Sequence, residues 1–432
     1  MSEHDEMIDP RRMQDIMRTR LTRRSLLKGA GAGVAGFSLA SFLAACAGGG
    51  GGPGSGTSFN AKDIFSGQAG DTINFANWPL YIDYAKDKSG TRYSPSIKNF
   101  EDKTGIDVNF EESIQSNEEF FGKIQPQLAA GDDTGWDIIV ITGGTRQFSV
   151  LVENNWVYPL DHSKTPNFNA NAEDWAKDPY YDPNNAHSMG WQSGLDVIGY
   201  NDELVNGEIT KLDDLANPDK VGKSSVGMLK ADMPDFVMIN LGIDPRTSGP
   251  TEWKEAAKWL QMQKESGTVR QYYDQGYIND LTAGNMSAGM VWSGDVLYYS
   301  LWAGYTNLHN VYPEGGALLW IDNMLIPAHA NNPVGALQLM DYYYDPKVAR
   351  KVTEWVLYMS PVKGVKELIE QDAQKAVDQG YKGYANKLYE TAKNPYAFPS
   401  EEFLSRAKFG RVFKTDEEYQ EWNDIFLPIS ES

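Results

Sequence analysis

Asp137-Ile138-Ile139-Val140-Ile141 sets four β-branched apolar residues in a row behind a single acid. A half-exposed strand alternates polar and apolar residues. An unbroken run instead reads as a strand covered on both faces, the habit of a parallel sheet. Upstream, the pattern from Asn117 to Ala130 is helical, with Asn117 as the expected cap, Glu118 and Glu119 at the positive end, and Pro126 expected to kink it. Before that, Ile106-Asp107-Val108-Asn109-Phe110 alternates as a strand, and Pro95 to Thr104 is a helix stopped by Gly105. Thr72-Ile73-Asn74-Phe75-Ala76 is a further short strand. Strand, helix, strand, helix, strand in that order is an α/β unit with right-handed crossovers.

A second region of this kind begins near Val197-Ile198-Gly199-Tyr200, and includes a helix from Glu252 to Glu265 and the strand Ala288-Gly289-Met290-Val291-Trp292. Two more helices, Pro333–Tyr344 and Pro346–Tyr358, are separated by Asp345-Pro346, a stop followed by a proline suited to the next first turn. A body of roughly 370 residues exceeds what one hydrophobic core usually serves, so two lobes are expected. Stretches 83–95 and 161–188, rich in Asn, Asp, Pro and Tyr, read as surface excursions.

The amino-terminal stretch is of another kind. Thr22-Arg23-Arg24-Ser25-Leu26-Leu27-Lys28 precedes an uncharged run from Gly29 to Ala45, which ends at Leu43-Ala44-Ala45-Cys46, and Cys46 is the only cysteine of 432 residues. A positive region, a short apolar region and small residues before a processing site make an export signal, here with a twin-arginine pair. The Leu-Ala-Ala-Cys run resembles the lipobox of bacterial lipoproteins, which implies that Cys46 is acylated and becomes the new N-terminus. The alternative is a free cysteine that closes an apolar helix, and against it three separate features coincide within 25 residues. Ala47 to Ser58 holds mostly glycine and behaves as a flexible coil. The expected organisation is therefore a signal at 1–45, a lipid-anchored tether at 46–70, and a folded body from Asp71. No later apolar run reaches the ~18 residues that a membrane span needs, so the expected membrane attachment is the lipid on Cys46. The expected location is the outer face of the cytoplasmic membrane.

Residues 1–45 carry seven Lys/Arg and five Asp/Glu, so their removal takes the net charge from −20 to −22. Such a chain repels nucleic acid and attracts cations. With Cys46 consumed by lipid, no disulfide is available and packing alone must hold the fold.

Catalytic and metal signatures are poor. His162, His187, His309 and His329 have no ligand spacing, and no Gly-x-Ser-x-Gly elbow occurs in the body. Gly222-Lys223-Ser224 resembles the end of a phosphate-binding loop, but Asn217 stands where its first glycine belongs. No catalytic residue, cofactor or metal ion is expected. What recurs is tryptophan and tyrosine beside carboxylates at strand ends: Trp78-Pro79-Leu80-Tyr81, Trp292-Ser293-Gly294-Asp295, Trp320-Ile321-Asp322 and Asp232-Met233-Pro234-Asp235. Singly, each has a packing or capping explanation, Asp232 as a helix N-cap and Asp235 as a first-turn acid. Together they make an aromatic box with several acids, suited to an extended organic cation. Ring faces attract ammonium groups by about 0.5–2 kcal/mol per contact, and charge-assisted hydrogen bonds add roughly 1.5–3 kcal/mol each.

Over nearly all of residues 71–432 the chain resembles the spermidine/putrescine-binding proteins of bacterial ABC transporters. The matching stretches are Phe75-Ala76-Asn77-Trp78-Pro79-Leu80-Tyr81, Lys103-Thr104-Gly105-Ile106-Asp107-Val108, Trp136 to Val140, Gly289 to Gly294 and, most specifically, Tyr312 to Pro327 with its Gly315-Gly316 and Trp320-Ile321-Asp322. The resemblance implies a two-lobed α/β fold of the type II periplasmic-binding-protein kind, with the ligand cleft between lobes. We expect residues 71–195 and 320–367 in one lobe and 196–319 and 368–432 in the other. It implies a ligand box of Trp78, Tyr81, Trp292, Trp320 and Tyr358, with Asp322 gripping one amine and Asp232 and Asp235 the other. The family has Ser or Thr after the strand that ends here at Ile141, then an aromatic residue. Thr142 keeps the polar contact, but Gly143-Gly144 lacks the aromatic wall. The implied partners are a polyamine and the permease subunits of a transporter, with the protein a monomer and not an enzyme. Two rival readings remain. One is the same fold holding ferric ion through Tyr272-Tyr273, Tyr298-Tyr299 or Tyr342-Tyr343-Tyr344. The other is a secreted hydrolase using Asp232 and Asp235 as paired carboxylates.

Overall fold

The computed structural model describes residues 59–431, so the expected export signal, Cys46 and the glycine run lie outside the described residues. The strands are β1 (Thr72–Asn77), β2 (Ala85–Lys86), β3 (Arg92–Tyr93), β4 (Asp107–Glu112), β5 (Ile138–Thr142), β6 (Ser188–Asn201), β7 (Val226–Leu229), β8 (Val269–Tyr273), β9 (Ala288–Trp292), β10 (Leu308–Val311), β11 (Ala317–Leu325) and β12 (Ala407–Phe409). Ten of them form one sheet in the order β4-β1-β5-β11-β6-β9-β7-β8, with β10 on β6 and β12 on β11, while β2 and β3 make a separate hairpin. At one flank β1 pairs β4 and β5 in parallel. At the other, β7 pairs β8 and β9 in parallel. The centre, where β11 meets β5 and β6 and β6 meets β9, is antiparallel. The result is a mixed α/β architecture in which each parallel flank carries its own helices.

Local chemistry explains the boundaries. In the helix Pro95–Thr104 the Ser94 hydroxyl accepts the Ile97 N–H, proline occupies the first turn, and Gly105 ends it at φ 74°. The helix Asn117–Ala130 corrects one expectation: Ser116 is the cap, accepting the Glu119 N–H, and Asn117 is the first helical residue. That frees the Asn117 amide for another contact described below. Pro126 lies inside this helix without interrupting its span.

Two buried hydrophobic cores flank the centre of the sheet. The long strand β6 serves both, with Met189 and Trp191 in the first core and Leu195, Val197 and Ile198 in the second. The strand β11 does the same in reverse, with Leu318 and Leu319 in the second core and Met324 and Leu325 in the first. Positions 195/196 and 319/320, read above as lobe boundaries, thus fall within continuous strands rather than in connections.

Three expectations need correction. The folded body begins ahead of Asp71: Ala61–Ile64 is a short helix capped by Asn60, Phe65 is fully buried, and Phe59 meets Tyr158 edge-on at 4.8 Å. Apolar side chains at 59 and 65 give this stretch something to bury, which the glycine run lacks. Residues 368–432 do not stay together. Ile369, Ala373, Tyr384 and Leu388 pack in the first core, and Phe413, Trp422 and Phe426 in the second. Stretch 161–188 is no mere excursion, because Thr165, Phe168, Asp182 and Asn185 are buried in it.

Candidate functional site

Where β6 and β11 pass between the two cores, their side chains meet those at the ends of β1, β5 and β9. The two central strands set the geometry: Trp320 lies opposite Gly194 and Asp322 opposite Gln192, with a register shift after Asp322. A Cβ at Gly194 would stand 2.4 Å from the Trp320 ring, so only glycine lets that indole lie across β6.

The first group comes from the first core's side. The Asp322 carboxylate accepts the Thr142 hydroxyl at 2.7 Å. Thr142 in turn accepts the Asn117 amide at 2.9 Å and gives its backbone N–H to the Asn117 carbonyl oxygen at 3.1 Å. The displaced helix cap thus anchors the strand end that orients Asp322. Tyr81 meets Tyr358 edge-on at 5.4 Å, and Tyr358 meets Trp320 at 5.4 Å. The buried Tyr81 hydroxyl has the Asp322 charge within electrostatic reach but completes no well-formed hydrogen bond. Trp78 is half-buried on the loop that carries Tyr81, packed against the first core, with its indole N–H buried and without an acceptor.

The second group comes from the other core. Asp232 precedes the helix Met233–Asn240 and makes no side-chain cap, so its carboxylate is not spent on the helix as the capping explanation requires. Asp235, in the first turn, accepts the Arg411 backbone N–H at 3.1 Å on one oxygen, while its other oxygen is buried without a donor. Trp292 ends β9, packs against Tyr277 at 5.6 Å and lies against Asp232.

Two contributors, Asp196 and Tyr181, escaped the sequence reading, and a third, Asp295, was quoted there beside Trp292 without a role. Asp196, in the middle of β6 and fully buried, accepts the Trp320 indole N–H at 3.1 Å on one oxygen. The one local signal is that it is the single acid of β6. Asp295 accepts the hydroxyls of Tyr277 and Tyr358, each at 2.9 Å, and so fixes the Tyr358 ring. A Cβ at Gly143 would stand 2.2 Å from the Tyr181 ring, the Tyr181 hydroxyl bonds the Asn323 amide, and the ring stacks edge-on against Phe148. The aromatic surface missing at Gly143-Gly144 is supplied from stretch 161–188.

The acids raise one another's affinity for protons. Burial first, with the nearby Glu118 charge, pushes Asp232 up to about 7. Burial, with Asp232, pushes Asp235 to about 7 against the pull of Arg411. Burial raises Asp322 to about 6, moderated by Thr142. Asp196 is raised well above the usual carboxylate range by burial, then by Asp232, Asp235 and Asp322. Several carboxylates stand near one another beside ring faces with little positive charge among them, an arrangement whose ionised form a cation would stabilise.

The tyrosines of the ferric reading are packing residues: Tyr272 and Tyr273 sit in the second core, and Tyr298, Tyr343 and Tyr344 in the first. Burial pushes Tyr272 up to about 12, against tyrosinate formation. Among the described residues no group of three or more His, Cys, Asp or Glu side chains is placed to hold a metal ion. Asp232 and Asp235 share one helical turn and approach from one side, whereas a glycosidase pair flanks the scissile bond.

Two cores joined by a common sheet, with a cluster of acids and aromatic rings where they meet, are the features of a solute-binding protein. Residues 96–379 match the family described as bacterial extracellular solute-binding protein, and the chain belongs to it. It is 27% identical over 382 residues to spermidine/putrescine-binding periplasmic protein 1 of Haemophilus influenzae, covering 86% of this chain and 92% of the relative. It is 29% identical over 322 residues to the putrescine-binding periplasmic protein PotF of Escherichia coli, covering 70% and 81%. The fold is that of the spermidine/putrescine ABC transporter substrate-binding protein PotD from Streptococcus pneumoniae, with TM-score 0.65 and 21% identity over 84% of this chain and 99% of that one. The type II periplasmic-binding-protein architecture expected from the sequence is the one observed. The family and these relatives are substrate-binding transport proteins, not enzymes.

Proposed function

We propose that this chain is the exported, monomeric capture component of a polyamine ABC transporter, binding spermidine or putrescine and presenting it to permease subunits. The observation that carries this reading is the set of carboxylates beside aromatic faces, Asp196 and Asp322 buried and Asp232 and Asp235 half-buried, with one oxygen each of Asp196 and Asp235 lacking any donor. Ammonium groups would supply the missing donors, and methylene segments would lie against Trp320, Tyr358 and Trp292. Trp78 and Tyr81 would close the box from the loop after β1. Because Thr142 and Asp322 belong to one side and Asp232 and Asp235 to the other, a ligand touching both stabilises the closed arrangement by differential contacts. Titration calorimetry of the purified protein is expected to show micromolar or tighter binding of putrescine or spermidine. A folded protein that binds neither, nor spermine, overturns the reading.

Lipid attachment at Cys46 completes the proposal: a tethered receptor stays at high effective concentration beside its permease. Among the described residues no helix is long and apolar enough to cross a membrane. Cys46→Ser is expected to move the protein from the membrane to the soluble fraction and to abolish labelling by radioactive fatty acid. Retention at the membrane without labelling would count against a lipid anchor.

A further inference from the structure

Asp196 is fully buried in the central strand β6. One carboxylate oxygen accepts the Trp320 indole N–H at 3.1 Å, and the other has no hydrogen-bond donor. Its backbone lies opposite Trp292 on β9, so the side chain stands between two of the ring systems of the site. Asp322 lies opposite Gln192 on β11, four residues back along β6, or roughly 13 Å at about 3.3 Å per residue. Asp196 and Asp322 therefore mark different ends of the site. The charge that acts most strongly on Asp196 is that of Asp232, followed by Asp235 and then Asp322.

The acids differ in how far the protein itself compensates them. Asp235 takes a backbone N–H from Arg411 and lies within reach of its guanidinium. Asp295 has both oxygens bonded to tyrosine hydroxyls. Asp322 has only the neutral Thr142 hydroxyl as a well-formed hydrogen-bond donor. Asp232 has no cap hydrogen bond. Asp196 has one oxygen served and one bare. Of the acids on β6, β11 and the Asp232 helix, Asp196, Asp232 and Asp322 are thus left without a cation, two at one end and one at the other, while the Glu118 charge adds to the demand at Asp232.

Resting on the polyamine reading above, we propose that Asp196 is a ligand-binding carboxylate whose free oxygen takes a second cationic nitrogen beside the one held by Asp232, making this a site for a triamine in preference to a diamine. A diamine engages Asp232 and Asp322 and leaves Asp196 uncompensated. A triamine of the spermidine class places one nitrogen at Asp322 and two at the other end, matching each charge. The Trp320 indole bond then has a purpose beyond packing, because it fixes the carboxylate so that its second oxygen faces the ligand.

Calorimetric titration of the wild type and Asp196→Asn with putrescine and spermidine tests this. The amide oxygen of asparagine keeps the Trp320 bond, so a merely structural role predicts no change. The wild type is expected to bind spermidine at least tenfold more tightly than putrescine. Asp196→Asn is expected to lose at least tenfold in spermidine affinity and less than threefold in putrescine affinity, while its thermal midpoint without ligand does not fall, since burial already favours the neutral form of this carboxyl. Unchanged spermidine affinity in the variant, or an equal loss for both amines, overturns the assignment while leaving the polyamine reading intact. Should the variant not fold, equal affinity of the wild type for the two amines overturns it. A wild type that binds neither amine defeats the broader reading instead.

Discussion

Asp322→Asn is expected to weaken polyamine binding about thirtyfold or more while leaving the fold intact. The Thr142 hydroxyl donates to one Asp322 oxygen at 2.7 Å, and an asparagine oxygen accepts it equally well. The Asn117–Thr142–residue 322 chain therefore survives, and the substitution removes charge alone. An ammonium that faced a carboxylate now faces an amide. Losing one partner of a buried charged pair costs about 2 kcal/mol or more, and each ~1.4 kcal/mol is tenfold in affinity. Without ligand, the variant loses a carboxylate that burial had pushed to about 6, so its thermal midpoint should not fall. Calorimetry together with a melting curve separates the two effects. Wild-type affinity in a well-folded Asp322→Asn protein would remove the residue from the site.

The second large effect is on pH. Asp232 and Asp235 are pushed to about 7 and Asp322 to about 6. Without ligand, these groups bind protons more readily folded than unfolded, so their contribution to stability is present at low pH and is lost as pH rises through 6 to 7. A bound cation reverses the preference, since it needs the ionised form. Alkylammonium groups, like lysine with its pKa of about 10.4, stay charged throughout. Affinity should therefore rise at least tenfold from pH 5 to pH 8, with protons released on binding near neutrality. Titrations in two buffers of different ionisation enthalpy measure that release directly. A flat affinity profile over this range, with no proton release, would show that these carboxylates are ionised before the ligand arrives.

Much of this was legible in the residues because local rules acted alone. The helix Pro95–Thr104 announces itself through Ser94, Pro95 and Gly105, and β5 through its run of isoleucine and valine. Trp320 and Asp322 could be placed on one face of a strand from alternation alone. What failed to show depended on distant partners. Ser116 and Asn117 are both competent caps, and only the position of Thr142 decides which is free to serve elsewhere. Asp196 drew no notice, because no nearby residue announces Trp320 or Asp232. Gly143-Gly144 looked like the loss of a wall, since Tyr181 stands far off in the sequence. Phe59 and Phe65 gave too short an apolar signal to be told from tether.

The two central strands carry a consequence for signalling. Because β6 and β11 run unbroken from one core into the other, any rotation of one half against the other is a twist of this shared ribbon. Trp320, Asp322 and Asp196 sit on the ribbon itself, at the fulcrum. For a rigid rotation, displacement grows in proportion to distance from the axis. A small rotation at this centre would therefore be a larger excursion for outer helices such as Pro250–Ser266 and Lys382–Lys393. On the proposed reading, a solute bound at the pivot would show its presence at the rim.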